Sequence, residues 1–275
     1  MKNTQNLKGV VAVLFCPYTK QDKLDLKGLI KNTQFLLDFA SEGHKPLVIM
    51  TNGSTTESYA NTQEEQKQVI RTVTETVAGK VPVIAGVSQS GTKLTIELAK
   101  YAEKAGADYA MVAPPYYHHA SQSGLFRHYQ AVAGAIDIGV VVYNNAAVSA
   151  TLMPPDFLFK LAEIKNIVAC KDNSVTFSDL ANKALTIIPD NMALLAGQGE
   201  MQYLAAASYG FKYRGFVSYI ANFAPALSYA VYEAVQNKDF DRAFQELQKQ
   251  APLWQFVSKI EKKRESLSVI PGGLK

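Results

Sequence analysis

One feature constrains this chain more than any other. A short β-branched apolar run is followed by an amphipathic stretch, and the pair recurs eight times. The apolar runs fall at residues 9–15, 47–50, 81–87, 108–113, 138–143, 166–171, 192–196 and 215–219. Strands that alternate with helices in series form a parallel sheet, and eight such units close a (β/α)8 TIM barrel. An open doubly wound sheet would instead carry a glycine-rich dinucleotide fingerprint after an early strand, and none is present. Local signals agree. Asp25 caps a helix whose face includes Leu26, Leu29, Ile30, Leu36 and Leu37, with Gly43 at its stop. Thr62 and Glu65 have the spacing of a capping box. Leu94, Leu98, Tyr101 and Ala105 line a helix that ends at Gly106, and Pro154 and Pro155 precede another. From Asp239 the chain reads as additional helix, with Phe240, Phe244 and Leu247 on one face. The expected architecture is a barrel over residues 1–237 with a C-terminal helical extension over 238–275.

Composition narrows the setting. With 275 residues, 48% of them hydrophobic, the chain can bury one large core, and a barrel needs roughly 250 residues. The net charge of +4 is spread without a dense Lys/Arg block, so no nucleic-acid partner is expected. Residues 1–8 are polar and lack the apolar core of a signal peptide. No apolar run approaches the ~20 residues of a membrane span. Cys16 and Cys170 read as two buried free thiols. A cytoplasmic protein without membrane contact is the expectation.

Chemistry in such a barrel sits at the C-terminal ends of the strands. The sixth strand ends in Lys171, where desolvation would favour the neutral, nucleophilic amine; a rim lysine that snorkels to solvent is the plainer alternative. The fifth ends in Tyr143, which neighbours Lys171 in a barrel and is either a proton shuttle or a core cap. After the second strand, Gly53-Ser54-Thr55-Thr56-Glu57-Ser58 offers amides and hydroxyls to a carboxylate, or is only a polar turn. After the fourth comes Pro114-Pro115-Tyr116-Tyr117-His118-His119, whose adjacent histidines lack a usefully spaced third metal ligand. His44 and His128 read as surface or packing residues.

Taken together, these strand ends resemble the dihydrodipicolinate synthase / N-acetylneuraminate lyase family. The resemblance runs from about Gly9 to near Val235, through the 53–58 loop, Pro82–Val87, Ala105–Asp108, Pro115-Tyr116-Tyr117, Tyr143-Asn144, Lys171 and Gly215-Phe216-Val217-Ser218. It implies Lys171 as the Schiff-base lysine and Tyr143 as the general acid/base. It implies that Gly53, Ser54 and Thr55 bind the oxo-acid carboxylate, with Ser54 and Thr55 relaying a proton. It implies Tyr117 lent across a subunit contact, a Val217 carbonyl lining the pocket, and a homotetramer built as a dimer of dimers. Two positions depart from the family pattern. Thr56 replaces a glycine and is expected to reshape the carboxylate pocket. Val148 stands where synthases carry an arginine for the second substrate's carboxylate, and it lacks the guanidinium fork. Asn144, Asn145, Ser149 and Asn173 around it would suit the hydroxyls of a ketodeoxy sugar acid, unless Lys212 or Arg214 reaches the pocket.

The expected function is therefore a class I lyase. Lys171 forms a Schiff base with pyruvate or another 2-oxo acid, and the enzyme cleaves, condenses or dehydrates a ketodeoxy sugar acid without metal or organic cofactor. The alternatives are a dihydrodipicolinate synthase, which condenses pyruvate with aspartate semialdehyde, and a non-catalytic 2-oxo acid sensor of the same fold. A barrel holding a phosphorylated substrate on residues 208–215 is a further rival.

Overall fold

Strands buried on both faces pair in parallel because helices cover the outer face and side chains fill the inner one. The eight runs do this here. In the computed structural model, which describes residues 5–174, 176–186 and 192–264, the strands are β1 Gly9–Val13, β2 Leu47–Thr51, β3 Val83–Gly86, β4 Tyr109–Val112, β5 Gly139–Asn144, β6 Ile167–Asp172, β7 Ala193–Ala196 and β8 Tyr213–Ser218. They close in sequence order, each parallel to the next, and β8 returns to β1. Alternating residues divide the core in two. Val11, Val13, Val48, Met50, Ile84, Met111, Val141, Ala169 and Leu195 fill the barrel. Val10, Ala12, Leu47, Ile49, Val140 and Cys170 point outward to the helices.

The surrounding layer is α1 Leu26–Ser41, α2 Gln63–Val77, α3 Thr92–Lys104, α4 Gln122–Ala133, α5 Ala146–Ser149, α6 Pro155–Ala162, α7 Phe177–Thr186, α8 Glu200–Ser208, α9 Pro225–Gln236, α10 Phe240–Gln248 and α11 Ala251–Arg264. The caps form as their residues dictate. The Asp25 side chain accepts from the Gly28 amide at 2.9 Å, and both halves of the Thr62–Glu65 capping box are present. Two expectations change. Ala243 and Leu247 form the buried face of α10, while Phe244 is exposed, because α8 and α9 pack on the opposite side. Ile30 and Leu94 likewise lie at the outer margins of their helices, half exposed. Of the expected C-terminal extension, residues 265–275 lie outside the described residues.

The closing seam depends on two glycines. Gly9 pairs with Gly215 across β1 and β8, and a Cβ on either would run into the backbone of the strand opposite or the Pro46 carbonyl. Asn222 ties the same seam above the strands, donating to the Val13 carbonyl at 2.7 Å and accepting from the Phe15 amide at 3.1 Å.

Candidate active site

Register brings the two reactive side chains together. β5 pairs with β6 so that Tyr143 lies opposite Lys171, and both point into the barrel, above Val141 and Ala169. Lys171 is buried, and its Nζ rests 3.9 Å from the centroid of the Tyr143 ring. The phenol oxygen accepts a hydrogen bond from Asn145 Nδ2 at 2.9 Å. Burial by itself would push the Tyr143 phenol up. The Lys171 ammonium, with hydrogen bonds from Asn145, Ser54 and Lys171, outweighs burial and holds the group below the ordinary phenol range.

The β2 loop forms the adjoining wall. The Thr56 amide donates to the Gly53 carbonyl at 3.1 Å and the Glu57 amide to Ser54 at 3.0 Å, with Glu57 in the left-handed region at φ 57°. Gly53 and Ser54 line a cavity of about 390 Å³ together with Asn52, Ser58, Ser88, Gln89, Tyr116, Tyr143 and Val148. Among the described residues, none lining it is charged. Thr55 is half-buried outside that lining, so the hydroxyl that meets Tyr143 is Ser54's. Thr56 acts from behind the loop. It is fully buried, donates to the Leu14 carbonyl at 2.8 Å and accepts from the Gly53 amide at 3.2 Å. The expectation that it reshapes the pocket is corrected: its hydroxyl braces the loop against the end of β1 and does not face the cavity.

The remaining expected residues divide. Val217 is buried in the barrel interior beside Val11. Tyr117 is 78% exposed and packs edge-on against His118, while its neighbour Tyr116 reaches the cavity. Three of the four polar residues expected to meet sugar hydroxyls are already engaged, while the fourth, Asn173, keeps its buried Oδ1 without a hydrogen-bond partner among the described residues. Asn144 clamps Met153 through both ends of its amide. Asn145 serves Tyr143 and the Ala147 amide, and Ser149 donates to the carbonyls of Asn145 and Thr151. Arg214 lies at the start of β8 near Tyr109 and Tyr232, at the opposite end of the barrel from Lys171, and neither it nor Lys212 lines the cavity. Residues 208–215 occupy that same far end, which removes them as a phosphate site on the catalytic face. Cys16 and Cys170 are both buried, and neither is in a disulfide.

One cluster escaped sequence reasoning. On the outer side of β6, Asp172 accepts from Lys183 Nζ at 2.7 Å, Ser174 Oγ at 2.6 Å and Tyr213 OH at 2.8 Å, all buried. The available signal was Lys183 itself, a charged residue three positions after Leu180 on the buried face of α7.

The comparisons with known proteins bear on this geometry. The profile of the dihydrodipicolinate synthetase family matches residues 6–267. The chain belongs to that family. Among curated members of the dihydrodipicolinate synthetase family, the 4-hydroxy-tetrahydrodipicolinate synthase of Methanopyrus kandleri is 34% identical over 86% of this chain and 77% of its own. That of Clostridium perfringens is 35% identical over 82% and 74%. The dihydrodipicolinate synthase structure from Aquifex aeolicus superposes with a TM-score of 0.83 at 27% identity, covering 91% of this chain and 82% of that one. A second, from Acinetobacter baumannii and solved with pyruvate, gives 0.80 at 29% identity over 91% and 82%. Family membership makes this chain an enzyme of the lyase class. The named relatives carry the synthase activity that the sequence offered as its alternative. Among the described residues no helix is long and apolar enough to cross a membrane.

Proposed function

We propose that this enzyme is a Schiff-base lyase that binds pyruvate, or a close 2-oxo acid, on Lys171 and joins it to an aldehyde. The observation that carries the reading is the buried Lys171 amine held 3.9 Å from the Tyr143 ring centroid, beside the Ser54 hydroxyl of the β2 loop. The oxo-acid carboxylate docks at Gly53, Ser54 and Thr55. The neutral amine adds to the ketone carbon, and the carbonyl oxygen takes a proton from Tyr143 to give the carbinolamine. The amine nitrogen then returns a proton to the Tyr143 phenolate, the phenol passes it through Ser54 to the hydroxyl, and loss of that group as water leaves the protonated imine and a Tyr143 phenolate that can take the next proton. The imine draws electrons from the neighbouring carbon, which loses a proton to become an enamine and attacks the aldehyde. Hydrolysis then frees Lys171. No step calls on a metal or an organic cofactor.

Val148 favours a second reading of the aldehyde. A partner with its own carboxylate calls for a cation, and a charge-assisted hydrogen bond of that kind is worth roughly 1.5–3 kcal/mol. The cavity lining supplies none. Cleavage or dehydration of a ketodeoxy sugar acid would avoid that need. Incubation with pyruvate and borohydride, followed by peptide mapping, is expected to place a reduced adduct on Lys171; an adduct elsewhere, or none with any 2-oxo acid, would reject the lyase reading. Side-by-side kcat/KM values for semialdehyde condensation and sugar-acid cleavage then choose between the two substrates.

A further inference from the structure

Asn145 has a side chain with two different ends, and the fold uses both. It is the N-cap of the single-turn helix α5, and its Oδ1 accepts from the Ala147 amide at 3.0 Å. Its Nδ2 lies 2.9 Å from the Tyr143 phenol oxygen. A carboxamide accepts at one end and donates at the other. The Ala147 N–H belongs to the first turn of a helix, where amides lack an intrahelical acceptor, so it must meet the oxygen end. The NH2 end is then obliged to face the phenol. An NH2 group only donates, so the phenol oxygen must accept. The proton of Tyr143 is thereby excluded from the Asn145 side and, since the Lys171 ammonium also only donates, is left to Ser54. The residue cannot swing away easily, because its backbone carbonyl also accepts from Ser149 Oγ at 2.9 Å and from the Ser149 amide at 3.2 Å.

We propose that Asn145 is a positioning residue: pinned by the Ala147 amide, it donates to the phenol oxygen and directs the phenolic proton toward Ser54. The role rests on the reading of Tyr143 as the proton carrier given above. The charged group facing Tyr143 is Lys171, from β6. Ser54 from the β2 loop, Asn145 from the end of β5 and the residues lining the cavity are neutral. A fixed neutral donor favours the deprotonated phenol without competing for Lys171, and the direction of the Tyr143 shift agrees.

Two variants separate this role from plain helix capping. Asn145→Asp and Asn145→Ser both keep a good N-cap acceptor for Ala147, and neither offers the phenol an amide donor; serine does so without adding charge. Both are expected to fold and melt like the parent. In both, borohydride trapping of the pyruvate adduct at neutral pH should slow about tenfold, with the profile displaced to higher pH, since one pH unit corresponds to a factor of ten. A second readout does not depend on turnover. In protein carrying [13Cζ]tyrosine, the resonance missing from Tyr143→Phe should titrate at higher pH in either Asn145 variant than in the parent. Adding Asn145→Ser to Tyr143→Phe should cost no further activity, because the partner is already gone. Unchanged titration of Tyr143 in both variants, while the parent still forms the Lys171 adduct, would overturn the role of Asn145 alone. A parent that forms no adduct would overturn the lyase reading and the role with it.

Discussion

At Lys171 and Tyr143 two groups compete for one proton inside a barrel that keeps most water out. The ammonium sits against the face of the ring, where the quadrupole attracts a cation, and the phenol is held below its usual range. The phenol can therefore return a proton within a single hydrogen bond. Tyr143→Phe isolates that function, because the aromatic face under the amine remains while the oxygen is lost. Turnover is expected to fall about 10²–10⁴-fold, with the circular dichroism spectrum and melting point preserved. Near-normal turnover in a folded Tyr143→Phe protein would remove the phenol from the mechanism.

Between elements, His128 shows how packing sets a charge state. It is buried on α4, with Nδ1 2.9 Å from Thr92 Oγ1 at the start of α3. Burial disfavours its cation and lowers its pKa from 6.5 to about 4. The native state then binds fewer protons than the unfolded chain between those values, so stability is complete above about 6.5 and is lost as pH falls toward about 4. The loss amounts to roughly 3 kcal/mol at most, at about 1.4 kcal/mol per unit. Thermal melts from pH 7.5 to 4 should show a decline in the parent that is much shallower in His128→Asn; parallel curves would refute the assignment. Legibility in the sequence follows the same divide between local and distant contacts. The strand ends at Tyr143 and Lys171, the Asp25 cap and the Thr62–Glu65 box were readable because each depends on neighbours within a few residues. The α5 turn was not, since four residues carry no periodicity. Neither was the brace from Thr56 to Leu14, which spans 42 residues, nor the Asp172–Lys183 pair, whose charge looks solvated until α7 folds over it. Phe244 misled because a hydrophobic stripe does not say which of its margins will be covered.

For the whole molecule, the open end of the barrel carries an exposed aromatic surface. Tyr59, Tyr116 and Val148 line the cavity and are each exposed by 40% or more, and Tyr117 beside them stands 78% exposed. If Tyr117 completes a neighbouring subunit's site, turnover per chain should fall as the assembly is diluted, and Tyr117→Ala should reduce it about tenfold or more. Light scattering beside activity measurements checks this, and a fully active monomer would count decisively against it. The glycine seam has a consequence of another kind, in the order of synthesis. Gly9 leaves the ribosome well before its partner Gly215, which emerges 206 residues later. Contacts so distant in sequence form slowly, and until β8 arrives β1 presents an open edge of the sort that invites pairing with other chains. A nascent or truncated chain ending before Tyr213 thus holds both reactive side chains, Tyr143 and Lys171, yet has no closed barrel to enclose them.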